Sequence, residues 1–412
     1  METFLAILIL TTLALLATSP ALYRLRRQPL MSILMTGGWV AIGAGLVLGP
    51  SGTSQITRES LQTATPLLMM GLGWIGFMVG LQARRDVIAT VLKETWRLVT
   101  LDVVITILVF GAACWFLVAR WTQAPSAAWL VVPAALLTAC SIGWSIETRS
   151  LVRDRSMQQA QHCAMLLRAS GTLCSIAAIV WLGLWFDLPG HDESGVIRLD
   201  WLRGARNLLI STVLAILMGL LGQIAFRRAG KHPEQQMVVS LGLVVFVAGL
   251  ATELSTSPLL ASMLTGIVIA NLAGNEFQRF QKLIINAEHV IAVVMALLAG
   301  LFMNIDLGVG ALILVGAIIV LRVAVKPAVF RAGIAAQGND EDVRRLRTLG
   351  PIRQNPLAVP LAVGLVLKQP SDFNGQLLTV VVLTGLILDV APVLIQFFAK
   401  RSEQSVAREE AA

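Results

Sequence analysis

Residues 161–186 read QHCAMLLRASGTLCSIAAIVWLGLWF, from Gln161 to Phe186. The run exceeds the roughly 20 apolar residues that cross a bilayer. It carries one charge well inside it, Arg168, followed by Ser170-Gly171. A charge at membrane depth costs about 2.5–3.5 kcal/mol on insertion scales, so it normally faces protein or water and has a function. A second stretch, residues 310–329, places Arg322 and Lys326 in the same kind of setting. The two stretches predict helices that carry fixed positive charge into the centre of a membrane protein. A transport site built around them is the expectation.

Composition agrees with that class. Of 412 residues, 56% are hydrophobic and 14% charged, against about 25% charged in soluble domains. Tyr occurs once and Trp ten times, several near predicted span ends, where amphipathic rings sit well. The net charge of +8 is spread over short loops. That is what orientation in a bilayer requires, and no nucleic-acid partner is expected from it. Cys114, Cys140, Cys163 and Cys174 all fall in apolar stretches without metal-ligand spacing and read as buried filler. There is no phosphate-binding glycine loop, nucleophile elbow or zinc spacing, so neither an enzyme nor a cofactor or metal is expected.

A window of about 19 residues finds about 13 hydrophobic spans. They lie near 3–22, 30–48, 61–82, 98–119, 126–145, 161–186, 204–226, 236–254, 257–271, 286–304, 309–329, 355–368 and 376–398. Lys and Arg alternate between the loops. Arg24, Arg84, Arg149, Arg227, Arg279, Arg344 and Lys400, with their basic neighbours, fall on one side. The opposite loops hold few, apart from residues 187–203, where four acids accompany Arg198 and Arg203. The positive-inside rule then puts the N-terminus outside and the C-terminus in the cytoplasm. The apolar run 4–17 lacks a basic n-region and its positive charges follow it, so it reads as a retained first span. Residues 1–402 form one transmembrane domain, with 403–412 as a short cytoplasmic tail. Residues 333–353 make the one long polar loop and read as a solvated connector.

Two spans read as interrupted. In span 5, residues 136–145 (LLTACSIGWS) crowd small hydroxyl residues, Thr138 and Ser141 among them, around Gly143. In span 12, Pro356 and Pro360 cannot both sit in an unbroken helix interior without freeing backbone carbonyls. The two spans stand at matching places in the two halves and run in opposite directions. Interrupted spans so placed point to an inverted-repeat transporter site, although Pro and Ser are also tolerated in ordinary membrane helices. The expected fold is an all-α polytopic membrane protein with inverted repeats and two discontinuous crossing helices.

Five motifs in order carry a resemblance. They are Arg26-Arg27-Gln28-Pro29-Leu30, Gly49-Pro50-Ser51-Gly52, GLGWIGFMVGLQARR at 71–85, GLATELSTSPLLASMLTGIVIAN at 249–271, and, more loosely, the stretch from Gly300 to Asp306. With them the chain resembles the cation:proton antiporters, the sodium/proton and Kef-type potassium/proton exchangers. That resemblance implies a homodimer in a cell (inner) membrane. It implies a mobile core of spans at 98–186 and 309–398 beside a dimer-forming panel of spans at 3–82 and 204–304. It also implies one or two Asp residues on span 6 that bind cation and proton, facing a Lys or Arg on span 11. The chain departs from the pattern at two places. Gln82 replaces the acid that closes the third span, and Ser170 and Gly171 stand where the span-6 acids belong. Arg322 and Lys326 match the basic positions of span 11.

Buried Arg168 and Arg322 keep their charge and need anions. Asp102 and Asp389, both in core spans, are the preferred partners, with Glu147 and the carbonyls at the breaks as others. Lys326 either joins them or snorkels to the surface. Glu253, Glu288, His162 and His289 read as interfacial or capping residues. Three functions remain open. The first is exchange of sodium or potassium for protons, with a displaced acid such as Asp102 or Asp389 as the group that titrates. The second is carriage of a small anion by Arg168, Arg322, the hydroxyls of Thr138, Ser141, Ser145 and Ser170, and a helix N-terminus. The third is a transport-inactive sensor or partner on the same scaffold.

Overall fold

A computed structural model of the chain describes residues 38–53, 56, 63, 65–85, 93–122, 127–145, 158–186, 189–191, 197–229, 233–272, 291–333 and 350–409. Span 1, Glu147, Glu288 and His289 lie outside the described residues, and the His162 and Cys163 side chains are not described.

The helices are α1 (Trp39–Leu48), α2 (Thr65–Leu81), α3 (Lys93–Ile105), α4 (Gly111–Thr122), α5 (Ala127–Ser141), α6 (Gln158–Phe186), α7 (Trp201–Ala229), α8 (Pro233–Glu253) and α9 (Pro258–Leu272). They continue as α10 (Ile291–Phe302), α11 (Val309–Gly333), α12 (Ala358–Lys368) and α13 (Asp372–Glu409). A π-turn, Thr106–Phe110, joins α3 to α4, and the two cross as one apolar span. Between α6 and α7, β1 (Pro189–His191) pairs antiparallel with β2 (Ile197–Leu199). The tail expected from residue 403 is the end of α13, which stays helical to Glu409.

Among the described residues, six helices are long and apolar enough to cross a membrane and six further apolar helices are shorter. The outward faces of α7 and α8 expose Leu209, Val213, Leu217, Val238 and Leu241. Apolar patches of that extent need a solvent other than water, and a bilayer supplies it. The polypeptide is therefore a polytopic helical membrane protein.

Contacts gather the helices into two groups. One holds α2, α7, α8 and α9; the other holds α3 to α6 with α11 to α13. In the first, α2 and α9 pass backbone against backbone, because Gly76 and Gly80 have no side chain to hold them apart. A Cβ at either would run into the carbonyl oxygen of Leu259 or Met263. Small residues one turn apart are the usual means of such close approach in membranes. Where α6 and α12 of the second group meet α2 and α9 of the first, a mostly apolar cavity of about 240 Å³ opens, lined by Met69, Leu72, Ile179, Leu182, Leu361 and Lys368 among others.

Candidate ion-binding site

The site begins where α5 stops. Thr138 and Ser141 donate their hydroxyl protons to the carbonyls of Ala134 (2.7 Å) and Leu137 (2.8 Å), a pattern that weakens and bends helices. Two residues beyond Ser141, Gly143 takes φ +74°, the left-handed conformation with which glycine ends helices at little cost. Its N–H then points at Asp102 Oδ2, 2.8 Å away. A side chain at 143 is also excluded sterically, since a Cβ there would lie 2.6 Å from that of Cys174.

The second interruption lies against the first. The chain from 350 to 357 is non-helical, and α12 starts only at Ala358. Pro356 lies in the turn that precedes it. Pro360, expected within the break, falls instead in the first turn of α12, where a missing N–H leaves no helical bond unmade. Asn355 stitches the two breaks together: its Nδ2 donates to the carbonyl of Ile142 (3.2 Å) and to Ser175 Oγ (3.1 Å). The Ser145 N–H donates to the Arg353 carbonyl at 3.3 Å.

Arg322 reaches in from α11 to the same crossing. Its guanidinium donates to the carbonyls of Ser141 (2.9 Å), Gly143 (2.5 Å), Ile352 (2.8 Å) and Arg353 (2.9 Å). The Ser141 and Gly143 carbonyls are left free where α5 ends and carry partial negative charge; those of Ile352 and Arg353 lie in the non-helical stretch before α12, and a planar fork of fixed donors suits all four at once. Arg322 is 1% exposed. Its partners are thus backbone oxygens rather than the expected Asp102 or Asp389.

One turn along α11, Lys326 is fully buried and does not snorkel. Its Nζ lies 2.5 Å from Asp102 Oδ1 and 2.7 Å from Thr106 Oγ1, with the Phe110 ring beneath it. Asp102 is enclosed too; its Oδ2 accepts the Gly143 N–H and faces the Cys174 thiol at 3.7 Å. The carboxylate therefore stands on α3, yet it meets α6 one turn beyond Ser170-Gly171.

The remaining sequence candidates divide. Ser170 and Gly171 are buried on the inner face of α6, but the Ser170 hydroxyl bonds the carbonyl of Leu166 in its own helix at 2.6 Å. Arg168 corrects the sequence-based expectation of a buried charge: it is exposed, while Leu166, Leu167, Ser170, Cys174, Ser175 and Ala178 are buried. That inward stripe leaves position 168 on the opposite face of α6, away from the crossing. Asp389 pairs with Arg353 at 3.3 Å. Arg353 itself, placed by its sequence context in the polar loop, is 5% exposed. Glu253 is exposed at the end of α8.

Sequence reasoning passed over Thr106, Cys174, Ser175, Asn355 and Arg353. Asn355 had a visible signal, an amide directly before Pro356 in an apolar span. Cys174 had none, since a buried thiol is ordinary packing material.

A model of the transmembrane sodium/hydrogen exchanger family matches residues 10–401. Among solved structures, the sodium proton antiporter of Methanocaldococcus jannaschii at pH 8 is similar at TM-score 0.66 and 16% identity, covering 95% of this chain and 99% of that one. An electron-microscopy structure of the same antiporter aligns at TM-score 0.55 and 16% identity, over 85% and 87%. No curated protein matches the sequence.

Proposed function

Since the chain belongs to the sodium/hydrogen exchanger family, we propose that it exchanges a monovalent cation for protons across a membrane, with Asp102 as the carboxylate that receives the cation. The observation that carries this reading is the enclosed Asp102–Lys326 pair at the crossing of two interrupted helices. Sodium is the first cation to test, because the structurally similar antiporter is a sodium one.

Charge balance couples the two ions. The pair is neutral as it stands. A cation joining Asp102 adds one positive charge, and an uncompensated ion inside protein costs several kcal/mol. Release of a proton from Lys326 Nζ removes that charge, leaving a neutral amine beside a cation-bound carboxylate. The reverse step reloads the proton and expels the cation. Each exchange is then one cation for one proton at one acid.

Arg322 holds both breaks while this happens. An anion would have to draw that guanidinium away from four carbonyls, which disfavours an anion carrier. The two packing groups support a division into a core of spans at 98–186 and 309–398 and a panel of spans at 3–82 and 204–304, the core sliding against the panel and the panel joining two copies. Loop charges support an N-terminus outside and a C-terminus in the cytoplasm of a cell (inner) membrane.

Purified protein in liposomes tests the exchange. A sodium gradient is expected to drive protons the opposite way, and Asp102→Asn is expected to abolish this while still inserting. No sodium- or potassium-driven proton movement by the wild type overturns cation exchange and leaves the anion-carrier and transport-inactive readings.

A further inference from the structure

Cys174 is the α6 side chain that meets the Asp102 carboxylate. It is fully buried, its thiol lies 3.7 Å from Asp102 Oδ2, and its Cβ packs against Gly143 closely enough to forbid a side chain there. The two oxygens of Asp102 thus have different surroundings. Oδ1 has the Lys326 ammonium, backed by Thr106 Oγ1; Oδ2 has the Gly143 N–H and sulfur. The hydroxyl beside the carboxylate, Thr106 Oγ1, is already engaged by Lys326 Nζ.

Resting on the exchange reading above, we propose that Cys174 is a specificity-determining residue that sets which monovalent cations Asp102 accepts. A cation held by the carboxylate lies within a few ångströms of the sulfur. Hard cations are held by oxygen, whereas sulfur is a soft ligand that favours soft ions. The smaller the alkali ion, the more its lost water must be replaced by oxygen ligands. A thiol in that wall therefore handicaps lithium and sodium relative to potassium. It also opens the site to a thiophilic cation such as silver.

The test compares wild type, Cys174→Ser and Cys174→Ala in liposomes, each with Cys114, Cys140 and Cys163 replaced by Ala. Half-saturating concentrations for lithium, sodium and potassium are read from proton movement, and block by silver is titrated alongside. The serine variant, which supplies an oxygen, is expected to shift the lithium-to-potassium and sodium-to-potassium ratios roughly threefold or more toward the small ions. The alanine variant should not, and silver should block only the thiol-bearing protein. A purely packing role would lower all activities together and leave the ratios alone, and that result overturns the assignment. If the serine variant does not fold, the parent decides: sodium must raise the silver concentration needed for half block, and a sodium-independent block overturns the proposal. A parent inert to all three cations overturns this proposal and the exchange reading together. An active parent with unmoved ratios overturns this one alone.

Discussion

The Lys326 ammonium and the Asp102 carboxylate meet at 2.5 Å with neither side chain exposed. The acid comes from α3 and the base from α11, so the contact joins helices far apart in the chain. It forms where two helix breaks supply further polar groups. Removing one member of such a pair costs about 3–5 kcal/mol, because the other is left charged and enclosed. Charge deletion at either member therefore lowers stability and exchange together.

Lys326→Arg keeps a positive charge opposite Asp102 but holds its proton permanently. The protein is expected to insert and melt near the wild-type temperature, with sodium-driven proton movement reduced roughly tenfold or more. Retained exchange would show that the proton is not carried by this side chain.

Arg322→Lys replaces a fork that serves four carbonyls with three donors at one point. Each charge-assisted bond lost leaves a buried carbonyl short of a partner, at about 1.5–3 kcal/mol. The expected outcome is a lower thermal midpoint in detergent together with weaker exchange. An unchanged midpoint would mean the crossing does not depend on the guanidinium.

Arg353 and Asp389 form another enclosed ion pair among the described residues. Arg353→Met and Asp389→Leu are each expected to destabilise by about 3–5 kcal/mol, and the double variant by far less than their sum. Additive losses in denaturation experiments would show that the two groups do not interact.

Gly143→Ala forces a side chain into a left-handed backbone, at about 1–2 kcal/mol, and against Cys174. It is expected to lower stability and, by turning the 143 N–H off Asp102, to weaken exchange. Serial thermal melts and vesicle assays read both effects.

Arg168→Gln is expected to leave exchange and its cation preference unchanged, since the side chain faces away from the crossing. A clear loss of transport in vesicles would show that Arg168 reaches the ion path after all.

The helical membrane class was readable in the hydropathy, and the stop in α5 and the late start of α12 followed from Gly143 and Pro356. Which charges meet was not readable. Sequence marks a charge in an apolar run but not the face it takes, so Arg168 and Lys326 looked alike. Arg168 belongs to the outer face of α6, while Lys326 lies one turn from Arg322 on the inner face of α11. Pairing was hidden for a second reason. Asp102 and Lys326 are brought together only by the tertiary packing of α3 on α11, and no local pattern records that. Arg353 was masked by its neighbours, because a charged loop runs directly into a buried segment.

The π-turn at Thr106–Phe110 has a consequence of its own. Leu98, Asp102, Thr106, Phe110, Cys114 and Val118 are all fully buried, one every four residues. On a plain α-helix such a row would spiral off the inner face by about 40° at each step. The wider turn takes up part of that drift with one surplus residue. Rewinding the same residues as plain α-helix would swing the two ends by roughly 90° relative to each other. Cys114 and Val118 could then not stay inside while Asp102 still met its base. The aim of the carboxylate thus depends on the width of one helical turn as well as on the side chains around it.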